Sequence, residues 1–286
     1  MTTSILDAEI ILSKQLGDYW SSVTTGTGSS ATNIQDTALK AKANDWITDE
    51  TYIMITDADA ENDTDEEERK ATALDNSSGD LTVFDLSGDP GDGITYRIHR
   101  LFTASEKRRA LVHSAKWCFP HIFKEIWDES LAIDGDDLYK EIDISSLGLA
   151  KNQPHQIWQS SDKTDDGIAW YPIRDYTVDK DGNLWLKRGT CGYDLRIVGI
   201  GYLDFVDGDD AVGTDWEDTI DIDSPQTEIL VAGAAVYLCN QMIVPNFTSG
   251  TSEGWIEALK YWQGEYRDRY TKFGMVPPNA MVSWGV

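Results

Sequence analysis

SPQTEILVAGAAVYLCNQMIVP, residues 224–245, governs how the rest of the chain is read. Ser224 followed by Pro225 marks a helix start. A serine side chain can cap the first free N–H groups, and proline fits the first turn, where its missing N–H is not needed. From Ile229 to Ile243 the run is apolar nearly all round. A helix with no polar face is buried on every side, so this one is expected at the centre of a core, with Pro245 ending it. A chain of 286 residues is long enough to surround such a helix.

Other helices should pack around it. Thr251 or Ser252 caps a last helix, with Glu253 favourable at its N-terminus, and Trp255, Leu259, Trp262, Tyr266 and Tyr270 stripe one face. Ser4 and Asp7 suit the start of a helix over 4–20, whose apolar face is Ile5, Ala8, Leu12, Leu16 and Tyr19. Thr103-Ala104-Ser105-Glu106 is a capping box. The helix it starts buries Ala110, Val112, His113, Trp117 and Cys118, kinks at Pro120, and continues for a turn or two through Ile122, Phe123, Ile126 and Trp127.

Between these helices the period changes. Thr51–Thr56, Leu81–Phe84 and Ile94–Ile98 read as strands separated by turns at Asn76–Asp80 and Gly88–Gly93. Further on, Asp181-Gly182 inside the alternating run Thr177–Leu186 predicts a hairpin, and Leu195–Ile200 predicts another strand. The expected fold class is α+β. A four-helix bundle from 1–20, 101–130 and 224–274 carries two inserted small antiparallel β modules, barrel or sandwich, at 21–100 and 131–223. An extended C-terminal arm follows over 275–286.

Composition narrows the function classes. The net charge of −26 argues against wrapping nucleic acid, where basic grooves carry the affinity. An acidic wall would instead let DNA slide past. The longest apolar run, Ile229–Cys239, is far short of a membrane span, and Met1-Thr2-Thr3-Ser4 shows neither a basic start nor an apolar signal region. Three cysteines, Cys118, Cys191 and Cys239, are odd in number and far apart. They read as free thiols in a reducing compartment rather than a disulfide framework or a zinc site.

No reaction chemistry stands out. Gly250-Thr251-Ser252-Glu253-Gly254 matches the GxSxG pattern, but a nucleophile elbow needs a strand before it and a histidine after it. Here a loop precedes it, and the last histidine is His155, so helix capping accounts for Ser252. Residues 57–68 place acids at positions 1, 3, 5, 7, 9 and 12 of a calcium-type loop, but Asn62 stands where the sharp turn requires glycine. The segment reads as a solvated acidic loop, and Asp134–Asp137 and Asp207–Asp210 are similar turns. His99, His113, His121 and His155 are too scattered for a catalytic base. No catalytic residue, metal or cofactor is expected; the chain reads as a structural, protein-binding molecule rather than an enzyme.

Two segments suggest binding. Arg97, Arg100, Lys107, Arg108, Arg109 and Lys116, with Lys124 beyond them, are opposed only by Glu106. Such a basic face could meet the acidic face of a neighbouring copy in a head-to-tail ring, which needs two different complementary surfaces on one subunit. After Lys272 the chain is uncharged. Met275, Val276, Pro277, Pro278, Met281, Val282, Trp284 and Val286 suit an arm that docks extended in a partner's groove, where proline lowers the ordering cost and Trp284 is an anchor.

Four stretches carry a family resemblance: Trp46–Thr56 (WITDETYIMIT), Ile94–Arg100 (ITYRIHR) running into a capped helix, Phe119–Ile126 (FPHIFKEI) followed by Asp128–Leu131, and Ile173–Val178 (IRDYTV) leading into the hairpin. In these and in the order of its elements, the chain resembles the head-to-tail connector adaptors of tailed bacteriophages, of the tail tubular protein A kind. The acidic run at 57–68 departs from that pattern. The resemblance implies a virion protein, made in the host cytoplasm, forming a ring of about twelve copies beneath the portal. It implies an arm toward the portal protein, a β module toward the next tail component, and genomic DNA passing through the centre without specific binding or any membrane contact. A tail-fibre or carbohydrate-binding β protein is the alternative that the strand-rich parts and aromatic residues suggest.

Overall fold

The computed structural model describes residues 2–26, 29–57, 66–133, 140–160, 169–187, 192–246 and 252–279. Strand β1 (Thr3–Ser4) runs directly into helix α1 (Ile5–Gln15). Ser4 Oγ accepts the Asp7 N–H at 3.1 Å, the cap that the Ser-x-x-Asp spacing anticipates. Gly17, at φ 70°, follows the helix end in the left-handed conformation glycine tolerates.

Strands β2 (Trp20–Val23), β3 (Asn33–Gln35), β4 (Tyr52–Asp57), β5 (Glu68–Asp75), β6 (Asp80–Val83) and β7 (Thr95–His99) form one antiparallel sheet. Its order is β2-β7-β4-β5-β6-β3. Alternation along β4 shows how it is used. Ile53 and Ile55 enter the sheet's own core with Ile34, Leu74, Leu81, Tyr96 and Ile98, whereas Met54 points the other way into the helical core. Helix α2 (Ala104–Trp117) then begins with the complete Thr103/Glu106 capping box. Glu68 of β5 adds a second anion there, accepting the Ala104 and Ser105 N–H groups.

The next group comprises β8 (Lys124–Asp128), β9 (Lys140–Asp143), β10 (Gln156–Ser160), β11 (Trp170–Pro172), β12 (Tyr176–Val178), β13 (Asn183–Leu186) and β14 (Leu195–Gly201). They make a four-stranded sheet, β11-β10-β14-β8, and a three-stranded sheet, β12-β13-β9. Both contribute to one core that includes Ile126, Ile142, Ile157, Leu184, Leu186, Leu195 and Ile197. The hairpin expected at Asp181-Gly182 joins β12 to β13. Gly182 has φ 86° and lies against Ser145, so glycine is required there.

Strand β15 (Thr219–Ile220) pairs with β1 and brings the chain back to the helices, α3 (Ser224–Asn246) and α4 (Ser252–Phe273). Helix α3 is the hub of the helical core, with Ile229–Ala232, Ala234, Ala235, Leu238 and Cys239 buried in it. Helices α4, α2 and α1 all contact it. At Gly233 the approach of α2 is close: an added Cβ would lie 2.3 Å from Ser114 Oγ and 2.8 Å from Cys118 Sγ. Ser114 Oγ also donates to the Leu230 carbonyl at 2.9 Å.

The expected four-helix bundle with two small β modules is not what the helices form. Among the described residues the molecule is a mixed α/β structure with four α-helices and many antiparallel sheets, including a half-barrel. Three features account for the difference. The turns expected after Pro120 are strand β8, drawn into register with β14 so that Ile126 faces inward and Trp127 outward. The first sheet has six strands and its own core, so it is no small insertion. Non-helical residues Leu203, Phe205, Trp216, Ile220 and Ile222 also pack into the helical core.

Candidate functional site

The six basic residues of 97–116 divide into two groups. Arg97 and Lys107 are buried, at 4% and 0% exposure, and so cannot form a contact between copies. They belong to a polar network where α1, α2 and β7 meet. Glu9 takes the Arg97 guanidinium at 2.5 Å and the Ser13 hydroxyl. Lys107 Nζ reaches Asp18 Oδ2 at 2.8 Å, Ser13 Oγ at 2.8 Å and His99 Nδ1 at 2.9 Å. The Asp18 carboxylate also accepts the backbone N–H groups of Arg100, Leu101 and Phe102, at 2.5, 3.1 and 3.2 Å. Two carboxylates therefore balance two cations, as a buried charge requires.

Burial, and then the positive charges of Lys107 and Arg97, hold His99 well below the usual histidine range. The ring is neutral at pH 7, so Nδ1 accepts from the Lys107 ammonium and Nε2 carries the proton. Nε2 is buried and has no hydrogen-bond partner among the described residues.

The other four basic residues face outward. Arg100 stacks over Trp46 at 5.5 Å and Arg108 over Trp216 at 4.9 Å. Arg109 is exposed, and Lys116 pairs with Asp204 at 3.0 Å while remaining 58% exposed. Surface of opposite sign lies in a cleft of about 510 Å³ lined by Glu66, Asp207, Asp215, Glu217 and Asp218. Among the described residues, no group of three or more His, Cys, Asp or Glu side chains is placed to hold a metal. Residues 58–65 of the acidic run, and the turn at Asp134–Asp137, lie outside the described residues.

Ser252 is buried at the start of α4. The four histidines are in separate places. His99 is in the network, His113 packs on Tyr237, His121 stacks on Tyr270 at 3.8 Å, and His155 Nδ1 lies 3.0 Å from the Pro278 carbonyl. Burial pushes the Cys118 and Cys239 thiols up to about 11. Thiols in that range are not nucleophiles at neutral pH.

Beyond α4, residues 274–279 form neither helix nor strand. Met275 packs against the helical core and donates its N–H to the His121 carbonyl at 2.9 Å. Val276 is 84% exposed and Pro277 is exposed. Pro278 is half-buried and meets His155; Gln156 Nε2 donates to the Asn279 carbonyl at 2.7 Å. Met281, Val282, Trp284 and Val286 lie outside the described residues.

One surface had no counterpart in the sequence reading. On the outer face of the four-stranded sheet, Trp127, Val198 and Gln156 form one cross-strand row, and Arg196, Trp158 and Pro172 form the next. The Arg196 guanidinium lies 4.7 Å from the Trp127 ring and 4.0 Å from the Trp170 ring. Glu129 accepts from Trp127 Nε1 at 2.8 Å and from Arg196 Nε at 2.7 Å. Hydrogen bonding from Trp127, then from Arg196, lowers the Glu129 pKa. Arg196 is balanced by Glu129, exposed Glu125 shares this face of β8, and Trp127 remains 63% exposed. The alternation Glu125-Ile126-Trp127 was the available signal for it.

No protein-family model matches the chain, and no curated protein sequence matches it.

Proposed function

We propose that the chain is a structural adaptor that assembles as a ring between a phage portal and the tail and lines part of the DNA channel. The observation that carries this reading is the C-terminal segment. It follows α4 without helix or strand over residues 274–279, presents Val276 at 84% exposure, and has no charge from Met275 to Val286. Such a segment suits docking into a groove on another protein. The exposed Arg100, Arg109 and Lys116 with the half-buried Arg108, set against the acidic cleft at 207–218, give the unlike surfaces that a head-to-tail ring uses.

In this reading the lone subunit is monomeric or weakly associated, with the portal as template for the ring. Twelve copies carry a strongly acidic charge that repels phosphate, so DNA passes without sticking. The deciding experiment mixes the protein with purified portal rings and images the product. Deleting Met275–Val286 abolishes attachment, while the truncated subunit still melts cooperatively, at a temperature lowered by the loss of the Met275 packing and the His155 and Gln156 hydrogen bonds. Attachment by the truncated protein would show that the arm is not the portal contact.

Exposed Trp127 favours the second reading, a carbohydrate-binding β protein, because flat indole faces stack on sugar rings. Glycan-array binding by the isolated protein, lost in Trp127→Ala, would favour that alternative.

A further inference from the structure

The tryptophan-bearing face of the four-stranded sheet and the C-terminal segment meet at Gln156. Its amide holds the Asn279 carbonyl on one side and accepts Trp158 Nε1 at 3.1 Å on the other. The chain has therefore already reached this face when seven residues remain, Ala280 to Val286. We propose that the face bearing Trp127, Trp158, Arg196 and Trp170 is the docking site for those last seven residues of the same subunit.

Three observations support a resident of this kind. The first is reach. Seven extended residues span about 23 Å, whereas β10 and β8 stand two strand spacings, about 10 Å, apart in the sheet. The second is chemistry. Arg196 is neutralised by Glu129, so the face favours an uncharged segment, and AMVSWGV carries no charge. Met281, Val282 and Trp284 supply apolar and aromatic groups to set against the exposed indole of Trp127. The third is tethering. The hydrogen bonds from His155 and Gln156 anchor the preceding residues, which raises the effective concentration of the remainder to the millimolar range.

The docked tail acts as a latch. The residues assigned to the portal are held on the subunit's own sheet, and a partner must displace them. The inference concerns the lone subunit, so its test is independent of portal attachment. The full chain is made with p-benzoylphenylalanine in place of Trp284. Isotopically light and heavy copies are mixed before irradiation, and the cross-links are mapped by mass spectrometry.

Light–light and heavy–heavy links to strands β8, β10 and β14 are expected. Their yield should fall at least about fivefold in Trp127→Ser and, independently, in Arg196→Ala. Thermal melts establish that both variants are folded. Links mainly to the helices, links mainly between light and heavy copies, no links, or a yield indifferent to both substitutions would each overturn the proposal. So would glycan binding at Trp127 with the tail cross-linked elsewhere.

Discussion

At position 9 a carboxylate occupies the same helical row as Ile5 and Ser13, on the buried face of α1. It is kept there by Arg97, and the neighbouring Lys107 is kept by Asp18. Removing one member of such a pair leaves the other charge buried without a counter-ion. Glu9→Gln and Lys107→Met are therefore each expected to lose about 3–5 kcal/mol in urea unfolding.

His99 adds a pH dependence with a definite sign. Its folded-state pKa lies below the unfolded value of about 6.5, so the unfolded chain takes up the proton first. Its contribution to stability is complete above pH about 6.5 and is lost as pH falls toward the folded-state pKa, at up to about 1.4 kcal/mol per pH unit. Melts of His99→Gln should show a shallower loss between about pH 6.5 and 5 than the parent; equal slopes would remove His99 as the cause. The buried positions of Glu9 and Lys107 are not what the sequence reading expects: it assigns Glu9 no role and puts Lys107 among the outward basic residues. The partnership of Glu9 with Arg97 is not legible either, because 88 residues separate them. By its local pattern alone, a run of arginines and lysines such as 97–116 reads as surface.

Single elements were legible where local chemistry decides them. The Ser4 cap, the Thr103 capping box, the Gly182 turn and the stripe on α4 are where the sequence puts them. Strand β8 was missed because Ile122, Phe123 and Ile126 also fit a helical period, and only pairing with β14 selects the extended form.

Helix α3 offers a test in which local and tertiary effects oppose each other. Alanine is the better helix former by about 1 kcal/mol, so Gly233→Ala would stabilise an isolated α3. In the protein its methyl meets Ser114 and Cys118 of the neighbouring helix end. A net loss of about 1–3 kcal/mol is expected in chemical denaturation. A stabilised variant would mean that α2 shifts away freely.

For the molecule as a whole, the order of helical and β segments was readable, but the arrangement was not. A periodic pattern tells which face of a helix is buried and leaves open whether another helix or a loop covers it. Here residues 203–222 take up space that a bundle would have given to helices. The outward-facing part of the basic cluster, four of its six residues, belongs to this scale, because its proposed partner is another copy. Arg108→Glu with Arg109→Glu should prevent ring formation on portal without a comparable fall in melting temperature. An intact ring in electron micrographs of that variant would move the subunit contact elsewhere.

Strand β1 and strand β15 are joined across more than two hundred residues, and this fixes an order of events during synthesis. Each of the two sheet regions draws most of its core from one continuous stretch, so each can close soon after it leaves the ribosome. Helix α1 has no such option: its neighbours include α3, made near the end of translation. The nascent chain thus carries an apolar helix in waiting through most of its elongation, and folding intermediates stalled before residue 224 should be the species that chaperones bind.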